Sequence, residues 1–219
     1  MRDRLSLAVL ASGEGTTFEA IAEAISGGHL AARIALLVAD RPGAGALERA
    51  RRRGLPTAVI ASRHRDPEEW AAELTRTLQS FEVELVVNAG WLAILPPSWN
   101  RTWYGRAINL HPSLLPKYGG RGMYGHPVHA AVLAAREVET GVTVHLVTDA
   151  IDRGPILLQR RVPVLATDTP ETLRERLRPV EQELLLEAIR RFADGRWPLP
   201  YVPSEDRASS RDVRRTRDG

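Results

Sequence analysis

The order of apolar and polar positions divides the chain into two unlike halves. In the first half, short aliphatic runs alternate with segments of helical spacing. Residues 5–11 are a dense apolar run that ends in Ser12-Gly13-Glu14-Gly15-Thr16-Thr17; helical spacing resumes over 18–25 until Gly27 and Gly28 stop it. A second aliphatic run covers 33–39, and a helix is predicted over 44–53 with Gly54 as its C-terminal stop. Residues 57–61 predict a third strand. Asp66, Pro67, Glu68 and Glu69 have the order of a helix start, with an N-cap, a first-turn proline and acids at the positive end, and this helix should run to about Ser80. Residues 83–89, rich in valine, predict a fourth strand. Strands joined by helical crossovers imply an α/β fold: a doubly wound, mostly parallel, Rossmann-like sheet with helices on both faces. In such sheets ligands bind beyond the carboxyl ends of the strands.

The second half has a different rhythm. A short strand over 107–110 leads into His111-Pro112-Ser113, and a glycine-rich loop follows over 117–125. A helix is predicted over 127–138, strands over 141–147 and 155–164, and an amphipathic helix over 169–193 that Pro179 should interrupt. One compact domain over residues 1–200 is expected, its N-terminal half binding a nucleotide and its C-terminal half carrying the chemistry. Residues 204–219 mix Arg, Asp and Ser with Val213 as the one large aliphatic, a composition that predicts disorder.

Composition narrows the function. None of the 219 residues is cysteine, which excludes disulfides and thiolate chemistry. The 30 basic and 27 acidic residues nearly cancel, so no nucleic-acid partner is expected, and Arg51, Arg52 and Arg53 read as a solvated helix end. No apolar stretch approaches the roughly 20 residues that span a membrane, and no signal-peptide pattern is present, so a cytoplasmic protein with no membrane partner is expected.

Three clusters carry candidate chemistry. The Ser12–Thr17 stretch offers glycines, hydroxyls and a helix N-terminus to one phosphate; by itself it reads equally well as an ordinary strand-to-helix turn. It lacks the spacing of a dinucleotide or triphosphate loop. Strand alternation puts Asn109 and His111 on one side, a pairing suited to holding an oxyanion and moving a proton. Asp152, before Gly154-Pro155, would raise the pKa of a nearby His111, or only make turn hydrogen bonds. No metal is called for.

The run Asn109-Leu110-His111-Pro112-Ser113-Leu114-Leu115-Pro116, with Asp152 downstream, resembles the folate-dependent formyltransferases. The Ser-Gly-x-Gly-Thr-Thr opening and the short length resemble the branch of that family acting on glycinamide ribonucleotide. The resemblance covers about residues 5–197. It implies small-molecule substrates, 10-formyltetrahydrofolate as co-substrate, no metal, and a monomer or homodimer. It implies Asn109, His111 and Asp152 as catalytic residues. Gly15, Thr16, Thr17, Arg178 and Glu181 would bind the ribonucleotide. Leu92, Ala93, Ile94 and Leu95, with Asn109 and the loop Thr148, Asp149, Ala150, Ile151 and Asp152, would bind the folate. The family arginine that contacts folate aligns nearest Pro67, so that contact would be missing or would move to Arg63 or Arg65. Among the loop histidines, His129 best matches a family histidine near the site.

Overall fold

The structure, a computed structural model, describes residues 4–203; the predicted disordered tail lies outside the described residues. Seven strands form one sheet: β1 (Leu5–Leu10), β2 (Ala32–Ala39), β3 (Thr57–Val59), β4 (Leu85–Asn88), β5 (Ala107–His111), β6 (Glu139–Leu146) and β7 (Ile156–Pro163). Their order across the sheet is β3-β2-β1-β4-β5-β6-β7. The first five run parallel, and β6 is antiparallel to both β5 and β7. The expected doubly wound, mostly parallel sheet is therefore present.

Strand alternation sorts side chains into two cores. On β1, Leu7 and Val9 face one layer while Ala8 and Leu10 face the other. The first layer is covered by α1 (Thr16–Ser26), α2 (Gly45–Arg52), α5 (His126–Ala134) and α6 (Pro170–Ala193), through Phe18, Leu47, Val132 and Leu185 among others. The second layer is covered by α3 (Pro67–Ser80) and α4 (Pro97–Thr102), whose Trp70, Leu74, Leu78 and Trp99 are fully buried. Asp66 caps α3 as its sequence predicts, accepting from the Glu68 and Glu69 N–H groups.

Two expectations are corrected, and one helix was not expected. Pro179 does not interrupt α6, which runs unbroken for 24 residues. Leu173 and Leu177 before it, and Leu184, Leu185 and Ala188 after it, are all buried, so packing holds both halves in line despite the missing N–H. α5 ends at Ala134, and Arg136 takes a left-handed φ of 52°. The short α4 went unpredicted, because six residues opening on Pro97 carry no readable apolar stripe. Among the described residues no helix is long and apolar enough to cross a membrane.

The order of the sheet reverses between β1 and β4, the connections from β1 leading outward to β2 and β3 and those from β4 outward to β5. A crevice opens there at the carboxyl ends of the strands, and it is where the site lies.

Candidate active site

A cavity of about 860 Å³ runs along these strand ends. The loop after β1 closes one end. Gly15 adopts a left-handed φ of 74°, and a Cβ there would lie 2.6 Å from Ala46, so only glycine fits. α1 starts next, with no side-chain cap on its first N–H groups, and Thr16 and Thr17 line the cavity. Open N–H groups at a helix start are suited to an anion. Arg174, Arg178 and Glu181 face this end from α6. The Glu181 carboxyl is recessed in this wall; desolvation pushes its pKa up to about 7 against the opposing pull of Arg174 and Arg178.

The middle of the cavity is a tight polar corner. β5 and β6 pair in a register that sets His145 opposite Asn109. The loop after β6 leaves beside the start of β5, where the Val147 N–H donates to the Ala107 carbonyl, and folds back so that Asp152 reaches the other end of β5. Asp152 holds a left-handed φ of 54°, a conformation that asparagine and aspartate tolerate better than most residues. The Gly120 N–H donates to Asp152 Oδ2 at 2.9 Å, and His111 Nδ1 stands 3.6 Å from the same oxygen. His111 Nε2 lies 2.8 Å from the Tyr118 carbonyl, which can only accept, so Nε2 carries a proton and Nδ1 is left for Asp152 and the cavity. His145 Nδ1 lies 2.8 Å from the Leu146 carbonyl, and its Nε2 stands 3.0 Å from Asn109 Nδ2 and 3.5 Å from Asp152 Oδ1. Asn109 Nδ2 also lies 3.4 Å from Asp152 Oδ1.

One electrostatic expectation holds for the pair but not for the net shift. Asp152 does favour the charged form of His111, but burial of the ring outweighs it, and the His111 pKa is lowered. For Asp152, burial works upward, yet His145, the Gly120 N–H and the charge of both histidines win, holding the carboxyl below its ordinary value. His129, on α5, is 1% exposed with Nδ1 unpaired; burial, then Arg174, His126 and His111, lower its pKa to about 4.

The far end is formed by Leu92, Ala93, Ile94 and Leu95 together with Thr148, Asp149, Ile151 and Asp152. Ser12 Oγ accepts from the Leu92 N–H at 2.9 Å, tying this segment to the glycine loop. Leu92 and Ile94 are exposed, an apolar face open to a flat ligand.

The cavity thus gathers every residue that the resemblance gives a catalytic, ribonucleotide or folate role except Ala150, whose carbonyl is occupied by Thr148 Oγ1 at 3.2 Å within the turn. Arg63 and Arg65 are also outside the wall, and Arg65 pairs with Glu73 at 2.6 Å. Sequence reasoning missed His145 and Arg174. The Val144-His145-Leu146 alternation on a predicted strand was a usable signal for His145, but its pairing with Asn109 depends on a register that spacing does not show. Among the described residues, no group of three or more His, Cys, Asp or Glu is placed to hold a metal ion.

This geometry has close counterparts. A family profile described as formyl transferase matches residues 5–189. The chain belongs to the formyl transferase family. It is 35% identical to the phosphoribosylglycinamide formyltransferase of Escherichia coli K12, over 89% of this chain and 90% of that protein. It is 38% identical to a chloroplastic phosphoribosylglycinamide formyltransferase of Vigna unguiculata over 91% of this chain, and spans only 65% of that protein's length. Among solved structures, the phosphoribosylglycinamide formyltransferase of Coxiella burnetii superposes with a TM-score of 0.82 at 38% identity, covering 88% of each chain. The chain is an enzyme of that family.

Proposed function

We propose that the enzyme transfers a formyl group from 10-formyltetrahydrofolate to the amine of glycinamide ribonucleotide, a step of purine synthesis in the cytoplasm, within one catalytic domain over residues 1–200. The observation that carries this reading is spatial: Asn109, His111 and Asp152 meet at the middle of one cavity, between the uncapped start of α1 and a partly apolar end. The ribonucleotide phosphate takes the N–H groups at Gly15, Thr16 and Thr17, with Arg178 beside them, and Glu181 accepts from the ribose. The folate heterocycle lies between Leu92–Leu95 and Thr148–Asp152.

The amine then faces the formyl carbon in the corner. As it attacks, its nitrogen loses a proton and the carbonyl oxygen becomes an oxyanion. Asn109 Nδ2 turns toward the oxyanion the hydrogen that now faces Asp152 Oδ1 at 3.4 Å, keeping its bond to His145. The lowered pKa of His111 leaves Nδ1 unprotonated at neutral pH and able to take the amine's proton. The imidazolium formed is stabilised by Asp152 and donates to the oxyanion; it then delivers the proton to N10 of the leaving tetrahydrofolate. The proton lost by the amine is the one gained by N10, so the reaction balances. Tyr118 and His145 act as positioning residues, holding the His111 ring and the Asn109 amide.

The test offers the pure protein 10-formyltetrahydrofolate with glycinamide ribonucleotide, an amino-sugar nucleotide, or no amine. Tetrahydrofolate release that depends on glycinamide ribonucleotide supports the proposal. Release that depends on the sugar nucleotide, or on no amine, rejects it.

A further inference from the structure

One polar side chain in the cavity wall has a role that neither the fold nor the proposed chemistry uses up. Asn100, on α4, is 4% exposed and lines the cavity. Its Nδ2 donates to the Leu95 carbonyl at 3.3 Å and to the Thr148 carbonyl at 3.2 Å. Two carbonyl oxygens accept from the nitrogen side of an amide and repel the oxygen side, so the orientation of the group is settled by its partners. Oδ1 is left buried with no donor. Asn100 therefore ties together the two segments that flank the cavity's apolar end, and brings an unused acceptor to the same wall.

An unpaired buried amide oxygen is destabilising unless something completes it. On one side of this end Leu92, Ile94 and Leu95 are aliphatic and give a flat heterocycle contact area without discrimination by hydrogen bonding, while Thr148, Asp149 and Asp152 line the other. A site built to hydrogen-bond a substrate N–H, by contrast, rejects analogues that lack it. We infer that Asn100 determines specificity for the formyl donor: Oδ1 accepts from an N–H on the pyrimidine edge of the folate heterocycle, while Nδ2 sets the spacing of the two segments around it. This rests on the reading of residues 92–95 and 148–152 as the folate seat.

The experiment uses the full chain, wild type and Asn100→Val, with steady-state kinetics and titration of tetrahydrofolate. Asn100→Val raises the KM for 10-formyltetrahydrofolate about 10-fold, the loss of one hydrogen bond with its partner left buried, and leaves kcat and the ribonucleotide KM within about 2-fold. Tetrahydrofolate analogues in which the exocyclic amino group or a ring N–H is replaced by carbon supply the second arm. At least one binds the wild type about 10-fold more weakly than the parent and the variant almost equally well. If Asn100→Val fails to fold, Asn100→Ser replaces it; a serine hydroxyl can still donate to a carbonyl but is too short to keep the acceptor in place. An unchanged donor KM, a parallel rise in the ribonucleotide KM, or equal losses in both proteins for every analogue overturns the inference. A wild-type protein that binds no tetrahydrofolate overturns the folate reading instead.

Discussion

The middle of the cavity and its glycine-loop end are built on opposite principles. In the catalytic corner the polar atoms are already engaged: Asn109 with His145 and Asp152, His111 with Tyr118, Asp152 with Gly120. At the proposed anion seat, helix α1 begins without a side-chain cap, and Arg174 and Arg178 are exposed. The corner is desolvated and preorganised, which serves a transition state whose charge appears only briefly. The seat is open and carries two exposed arginines, which on the proposed reading serves capture of a substrate that arrives already charged. The contrast teaches that substitutions in the corner should fall on kcat and those at the seat on KM.

The largest expected effect lies in the corner. His111→Ala loses about 1000-fold in kcat, with the ribonucleotide KM little changed and the fold intact by circular dichroism. Near-normal turnover by a folded variant would remove His111 from the chemistry.

Next comes a stability effect between the two regions. The folded pKa of His129, about 4, lies below its ordinary 6.5. Between those values the unfolded chain binds a proton that the folded chain refuses, so stability present above pH 6.5 is lost as pH falls toward 4. The contribution reaches about 3 kcal/mol at most. Urea unfolding at neutral and acidic pH checks it: His129→Gln flattens the pH dependence, and an unchanged slope would contradict the assignment.

At the seat, Thr17→Asp sets a carboxylate against the phosphate. The ribonucleotide KM rises about 30-fold with kcat nearly constant, and added salt narrows the gap. Arg178→Gln has the smallest effect, about 5-fold on the same KM, because an exposed arginine is well screened. A kcat loss exceeding the KM change in either variant would blur the division.

The two regions were also unequally legible in the sequence. Asn109 and His111 share a face by strand alternation alone, and the glycines before α1 announce a turn into a helix. The parallel part of the sheet was readable for the same local reason, since each strand and crossover carries its own period. Asp152 was visible as a turn residue, but its meeting with His111 depends on the loop after β6 folding back. His145 depends on the β5–β6 register, and Arg174 on α6 returning across the sheet to α1. These are long-range facts with no local period. The pull of Asp152 toward a charged His111 was legible in the sequence, whereas the depth of burial that outweighs it was not.

The division of labour is tested most directly by a double variant. Asn109→Ala and Thr17→Asp are compared singly and together through kcat/KM for the ribonucleotide. Because the two side chains act on different parts of the substrate, their effects on the transition state should multiply, adding in free energy to within about 0.5 kcal/mol. A double variant no worse than the weaker single one would show that seat and corner act as one unit, against the separation described here.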